Sequence, residues 1–198
     1  LSQACPERAM GGWGRRLRIA LNGQDPRTGR RFIWHMFQAR PGGGGSAAGD
    51  GYSTIGEWHS AGGIKFGSIE VAESRFPLVF ETHEYRPGPA GDGRFRGGYG
   101  ADMRLRVEAA GGTVANMAGE GVVHGARGIL GGHDGAPHDY TLLAPGTAPR
   151  KLKSKEINVP IPTGSVIHVL SGGGGGWGDP ADRDPAARDA DAAEGLAG

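Results

Sequence analysis

Cysteine is almost missing: Cys5 is the single one in 198 residues. That excludes an intrachain disulfide and a cysteine-built zinc cluster, and a reducing, cytoplasmic setting is the expectation that follows. A charge excess of either sign is missing too, with 22 Lys and Arg against 21 Asp and Glu. Nothing in that balance favours nucleic acid or an anionic membrane surface as a partner. No apolar run reaches the roughly 20 residues of a membrane-spanning helix. The opening Leu1-Ser2-Gln3-Ala4-Cys5-Pro6-Glu7-Arg8 has neither a basic-then-apolar leader nor a starting methionine. The chain therefore reads as beginning inside a longer protein or as a processed piece. Self-contained catalytic motifs are also absent. There is no Gly-x-Ser-x-Gly, no His-Glu-x-x-His, and no glycine loop closing on Gly-Lys-Ser/Thr to hold phosphates and magnesium.

What the chain has instead is glycine, 40 residues, with 13 prolines. The glycines cluster between apolar, β-rich runs, which argues against wholesale disorder. The finish is the sharpest cluster: Gly172 to Gly176, then Trp177-Gly178-Asp179-Pro180. A strand-like Ser165–Leu170 enters it, so the spacing predicts an ordered, close-packed turn rather than a free linker.

Period-2 alternation marks strands at Arg16–Leu21, Arg31–Phe37, Leu78–Arg86, Asp102–Glu108, Tyr140–Leu143, Glu156–Pro160 and Ser165–Leu170. Asn22-Gly23 and Asp25-Pro26-Arg27-Thr28-Gly29 both carry turn chemistry between the first two. Ser68–Phe76 suits a short helix ended by Pro77. From Gly111 to Pro137 glycine dominates, with weak strand character at Gly121–His124. Asp184 and Pro185 suit the N-cap and first turn of a helix running through Asp191 to Leu196. The expected class is mainly β, glycine-rich and loop-heavy, with a short C-terminal helix, over residues 1–198.

Among seven histidines, His133-Asp134 and His138-Asp139 offer imidazole and carboxylate together, a divalent-metal combination. No ligand spacing supports a site there, and solvated loop side chains are the plainer reading. His35, flanked by apolar residues, reads as a hydrogen-bonded structural histidine. His59, in the aromatic loop with Trp58, is the preferred pocket histidine. Arg94 and Arg96 suit a carboxylate or phosphate, against which pairing with Glu70, Glu73 or Glu84 has to be weighed. Glu70 and Glu73 share a helical face, which serves acid–base chemistry or plain surface charge.

Several ordered motifs resemble the hydantoinase B/oxoprolinase family, related to the ketone carboxylases. They are Ala39-Arg40-Pro41-Gly42-Gly43-Gly44-Gly45 with Asp50-Gly51, Ser68–Leu78, Tyr85-Arg86-Pro87, Gly91–Gly100, Arg127–Gly135 and Gly173–Asp184. The resemblance implies the C-terminal part of a subunit whose N-terminal portion, with its metal-binding His/Asp segment, is not present here. It implies a component of an ATP-dependent hydrolase that cleaves the C–N bond of a cyclic amide. ATP would phosphorylate the amide oxygen and leave the ring carbon open to water. ATP and a divalent metal belong to the full complex rather than to this chain, with ATP on a hydantoinase A-type partner. The implied alternatives are a ketone carboxylase component and a non-catalytic assembly region. Within that frame His59 and Glu70 are the candidate catalytic residues, and Arg96 and Asp50 the candidate substrate contacts. One departure stands out. Where many family members have Asn-Thr-Pro-x-Glu, this chain reads Lys65-Phe66-Gly67-Ser68-Ile69-Glu70, which puts the substrate subclass in doubt. Alone, the chain is expected to expose an apolar face that the rest of the subunit covers.

Overall fold

The computed structural model describes residues 2–55 and 67–196. Among these residues nine strands form two antiparallel sheets. The first joins β1 (Ile19–Gln24), β2 (Arg31–His35), β5 (Val114–Ala118) and β8 (Lys155–Pro160) in the order β2-β1-β5-β8. The second orders β3 (Leu78–Tyr85), β4 (Ala101–Val107), β6 (Asp139–Leu143), β7 (Arg150–Lys151) and β9 (Ser165–Leu170) as β3-β4-β9-β6-β7. Helix α1 (Ile69–Arg75) leads into β3, and α2 (Pro185–Ala193) follows the last strand.

The sheets pack face to face because each strand sends alternate side chains to one side. Leu21, Trp34, Ala115 and Val159 from the first sheet meet Met103, Leu105, Ile167 and Val169 from the second in one buried cluster. Trp34 and Phe80 touch edge-on across the gap, ring centroids 6.3 Å apart. Burying each such side chain contributes about 1.5–3 kcal/mol.

Two local expectations are corrected. Asn22-Gly23 is not the turn but lies inside β1, opposite Ile33 and Phe32. The chain reverses at Asp25–Gly29, where Asp25 accepts the Arg27 N–H (2.9 Å) and Gly29 takes φ 69°. Gly121–His124 forms no strand, and Val123 is 79% exposed. The strand of that region is β5, whose inward residues Ala115 and Met117 give only a faint apolar alternation.

The largest correction concerns Gly172–Gly176. It is not a turn. None of its residues has positive φ until Gly178, and the run lies buried among four other segments. Gly174 N–H donates to Gly98 O (3.0 Å), Gly175 N–H to Gly12 O (2.8 Å), and Gly176 N–H to His133 O (2.9 Å). In return Gly172 O accepts from Gly42, Gly174 O from Gly91, Gly175 O from Gly45 and Gly176 O from Ile129. A polyproline-II-like chain turns every three residues without internal hydrogen bonds and presents successive amides in different directions. The bonding of this run, with Gly172, Gly174, Gly175 and Gly176 each bonded to different neighbours, has that character. It satisfies buried backbone groups that would otherwise cost about 1–3 kcal/mol each. Glycine is required for contact rather than for φ here. A Cβ on Gly174 would overlap the Gly43 carbonyl, one on Gly97 the Gly174 carbonyl, and one on Gly44 the Gly11 carbonyl.

Candidate functional site

The glycine bundle carries the polar groups that converge best. Segments 42–51 and 91–100 both bond to the central run, and this brings Asp50 beside Arg96. Asp50 Oδ1 accepts the Arg96 backbone N–H at 2.8 Å. The strongest partner of Asp50, however, comes from the C-terminal segment. Arg183 grips it with two nitrogens, Nη1–Oδ1 at 2.8 Å and Nη2–Oδ2 at 2.9 Å. Arg183 Nη2 also reaches Asp191 Oδ2 on α2 (2.6 Å), and Asp191 Oδ1 accepts Arg96 Nε at 2.9 Å. Two guanidinium groups and two carboxylates thus alternate in one network. Such bidentate, charge-assisted bonds are the strong kind.

The Arg183 side chain is 7% exposed. Its hydrogen bonds to Asp50, together with Asp191, hold its pKa above the ordinary arginine value against the opposing pull of burial. Burial pulls Asp50 upward, but the Arg183 hydrogen bonds and charge, with Arg96, outweigh it and leave Asp50 below its usual value. Arg96 also lies over the Tyr99 ring, 4.2 Å from its centroid. Desolvation pushes the Tyr99 hydroxyl up to about 12, so it is a neutral group across the working range. A cleft of about 570 Å³ opens between the bundle and α2, walled by Asp92, Arg96, Tyr99, Arg188, Asp189 and Asp191. A second hollow of about 410 Å³ lies on the Asp50–Arg183 side.

Neither Arg94 nor Arg96 pairs with Glu70, Glu73 or Glu84. Arg94 lies over Phe95 (5.5 Å), and Glu73 accepts the Phe80 N–H at 2.7 Å. Glu70 stands apart from the network on the first turn of α1, exposed, accepting the hydroxyl proton of its own cap residue Ser68. That bond lowers its pKa. His59 lies outside the described residues.

The paired His-Asp motifs do not converge. His138 is buried and neutral: its Nδ1 accepts Gly172 N–H (2.7 Å) and its Nε2 lies 3.1 Å from Arg15 O, which makes Nε2 the protonated nitrogen. Desolvation pushes it down to about 4. Asp134 accepts Gly128 N–H at 2.8 Å, Asp139 pairs with Lys151, and His133 lies exposed beside Asp92. Among the described residues no group of three or more His, Cys, Asp and Glu could hold a metal ion. The described residues therefore do not fit the metal expected of a full complex. His35 is exposed on the outer face of β2 rather than hydrogen-bonded in the core. Among the described residues no helix is long and apolar enough to cross a membrane.

The sequence model of the hydantoinase B/oxoprolinase family matches residues 1–180. The chain belongs to that family. It is 31% identical over 99% of its length to the beta chain of caprolactamase from Pseudomonas jessenii, covering 34% of that protein. It is 27% identical over 93% of its length to the B component of a putative D-/L-hydantoinase from Pseudomonas sp. strain NS671, covering 30% of it. Among solved structures, the ATP-dependent caprolactamase of Pseudomonas jessenii superposes with TM-score 0.77 at 26% identity, covering all of this chain and 35% of that one. Nucleotide-free acetone carboxylase superposes with TM-score 0.78 at 21% identity over 92% of this chain, covering 28% of its own, and shows the fold alone. The chain thus spans about a third of the length of these relatives. The family match ends at residue 180, just before Arg183 and Asp191. Sequence reasoning missed both, along with Tyr99. The local signals for Arg183 were its place inside the Gly173–Asp184 motif and its position between Asp182 and Asp184, at the head of an acidic, alanine-rich tail.

Proposed function

We propose that this chain is the C-terminal, glycine-anchored part of a B-type subunit in an ATP-dependent enzyme that hydrolyses the C–N bond of a cyclic amide. The observation that carries the reading is the 31% identity to the caprolactamase beta chain along 99% of this one. The 27% identity to a hydantoinase B component points the same way, whereas the carboxylase likeness extends to the fold. In this reading ATP, held by an A-type partner, activates the amide oxygen. The chain itself supplies a wall of the substrate cavity. Arg96 and Asp50, fixed by Arg183 and Asp191, stiffen that wall and set its charge, and His59 and Glu70 serve as acid–base groups.

The test is ADP release by the assembled complex with caprolactam, hydantoin or 5-oxoproline, set against acetone with bicarbonate. A cyclic amide alone should stimulate it. Stimulation only by the ketone with bicarbonate would move the chain to the carboxylases. His59→Ala and Glu70→Gln should lower kcat/KM more than tenfold, about 1.4 kcal/mol. Unchanged turnover in both, with assembly intact, would leave the region a structural one.

A further inference from the structure

A sheet has two edges and an outer face, and folded proteins blunt exposed edges with bulges, charges, prolines or very short strands. Three of the four edges here are treated in that way. β7 is two residues long. β3 has a register break between Phe80 and Thr82 and carries Glu81 and Glu84. β8 breaks register opposite Asn116, holds Asn158 at φ 54°, and ends in Pro160. The fourth edge, β2, has no bulge and no proline, and its one formal charge is Arg31 at its first residue. Its register with β1 is unbroken from His35 to Arg31.

The hydrogen-bond phase of that edge follows from one bond. Met36 N–H donates to Ile19 O, so Trp34 and Phe32 face β1 with their amides, and Ile33 and His35 face away from it. The N–H and C=O groups of Ile33 and His35 meet no partner among the described residues. Two apolar side chains along this edge are uncovered, Ile33 63% and Phe37 46% exposed, beside the exposed Arg31 and His35.

The outer faces of the two sheets differ in the same sense. Behind β2 one cross-strand row reads Ile33, Asn22, Val114, Pro160, and the next His35, Ala20, Asn116, with no carboxylate in either. Ile157, 75% exposed, flanks them. The opposite sheet carries Arg104 and Arg106 on Glu81, His168 on Asp102 (2.8 Å), and Lys151 on Asp139. One face is laced with ion pairs; the other mixes apolar residues with neutral amides and a histidine and answers no charge with an acid.

We infer that the outward edge of β2, unpaired among the described residues, with the acid-free outer face behind it, is a docking surface for a β-strand from the part of the B-type subunit that this chain does not span. The occupant follows from length and charge. The solved caprolactamase covers all of this chain, yet this chain covers only 35% of it, so in that relative the equivalent region sits within a much longer polypeptide. A second copy of this chain fits poorly. A twofold pairing centred on Ile33 would set Arg31 against His35 with no acid to answer either. An added strand with alternating apolar residues and acidic neighbours meets both the open backbone groups and the basic rim. The inference rests on the family assignment, and its test reads no turnover, so it survives or fails independently of the amide-hydrolase reading.

The probe is the two thirds of the caprolactamase beta chain that this chain does not match, made as a separate polypeptide. Binding to the immobilised 198-residue chain is read by interferometry, and amide exchange is followed on the same pair. The probe should bind and slow exchange at Ile33 and His35 at least 100-fold. Ile33→Pro, which removes an outward N–H and the exposed isoleucine side chain but no bond to β1, and Ile33→Asp should each weaken binding at least tenfold. Glu84→Lys, on the free edge of β3, should leave it unchanged. Protected amides at Leu21 and Trp34 certify that the variants are folded, with Ile33→Asp taking over if the proline variant is not. Wild-type binding no tighter than that of the Ile33 variants, or no slowing at Ile33 and His35, overturns the proposal. Slowing that grows with the chain's own concentration and needs no probe assigns the edge to a second copy and overturns it equally.

Discussion

Replacing Gly174 by alanine puts one methyl group where the structure has no space. The added Cβ would overlap the Gly43 carbonyl and stand 2.9 Å from Gly44 N. An extra methylene in an ordinary core costs about 1–3 kcal/mol, because side chains can shift around it. Here every opposing atom is backbone, and that backbone is itself bonded, Gly43 N–H to Tyr52 O and Gly98 N–H to Gly43 O. Moving it would also stretch the Gly174–Gly98 and Gly91–Gly174 bonds (3.0 and 2.8 Å), each with a net contribution of about 1 kcal/mol. Overlap plus two weakened bonds gives a destabilisation of about 4 kcal/mol, a large part of a typical 5–15 kcal/mol. For a chain of this size it should lower Tm by roughly 8–16 °C. Gly111→Ala is the matched control, since nothing lies within 4 Å of its added Cβ and its φ is not in the left-handed region. It should change stability by no more than about 1 kcal/mol, through the unfolded chain. The assay is thermal and urea unfolding of both variants followed by circular dichroism. A Gly174→Ala protein melting within 3 °C of wild type, with a roughly unchanged urea slope, would refute the claim that backbone packing holds this region together.

Other consequences are equally direct. His138 is neutral in the fold with a pKa of about 4 against an unperturbed 6.5, so the unfolded chain binds the extra proton between those values. Its contribution is complete above pH 6.5 and is lost as pH falls toward 4, about 3 kcal/mol in all. Urea midpoints measured from pH 7 to pH 4 should fall accordingly, and His138→Gln should flatten the slope. Asp50→Ala strips Arg183 of its bidentate partner and the Arg96 amide of its acceptor. It should cost about 2–4 kcal/mol, and a double-mutant cycle with Arg183→Met should show coupling above about 1 kcal/mol. The depressed Asp50 carboxyl places its own loss of stability below the ordinary carboxylate range as pH falls. Asp191→Asn should loosen α2, seen as faster proteolytic clipping after residue 183 with the β-sandwich left intact.

Sequence and structure agree where one strand or helix settles its own form. The alternation Met103, Leu105, Val107 in β4 and Ile167, Val169 in β9 points inward as its period requires. A short helix, α1, forms within Ser68–Phe76, and Asp184 caps α2. They part where a distant segment decides. The Asn22-Gly23 pair has turn chemistry, yet it is held in a strand with Thr113 packed against Gly23. β5 buries Ala115 and Met117 between glycine-rich stretches, too little apolar bulk to mark a period. Of the site residues, Arg96 and Asp50 were visible as functional types, but their partners Arg183 and Asp191 are 133 and 95 residues away. No local pattern encodes that pairing. His138 looked like half of a metal motif and turned out to be the acceptor for the first amide of the central glycine run.

Four of the motifs that carried the family resemblance, at residues 39–45, 91–100, 127–135 and 173–184, are the segments that meet in the glycine bundle, whereas Ser68–Leu78 and Tyr85–Pro87 lie in or beside α1 and β3. The coincidence has a physical reason. A side chain in a sandwich core can be exchanged for another of similar volume, so strands of one fold can differ widely in sequence. A bundle of bare backbones offers no such exchange, because at Gly42, Gly97, Gly98 and Gly174 any Cβ strikes a carbonyl. The bundle therefore does for loops what a sheet does for strands. It turns segments with no regular side-chain contacts into a rigid frame of satisfied amides, and on that frame it holds Asp50 and Arg96 close enough for an Arg96 amide to reach Asp50 at 2.8 Å. Groups placed in this way need no mobile side-chain scaffold to keep their geometry. A change deep in the glycine run that left the fold standing should then disturb the cleft before it disturbs the sandwich. The Arg96–Asp191 contact and the docking of α2 should respond while the amides of β4 and β9 keep their protection.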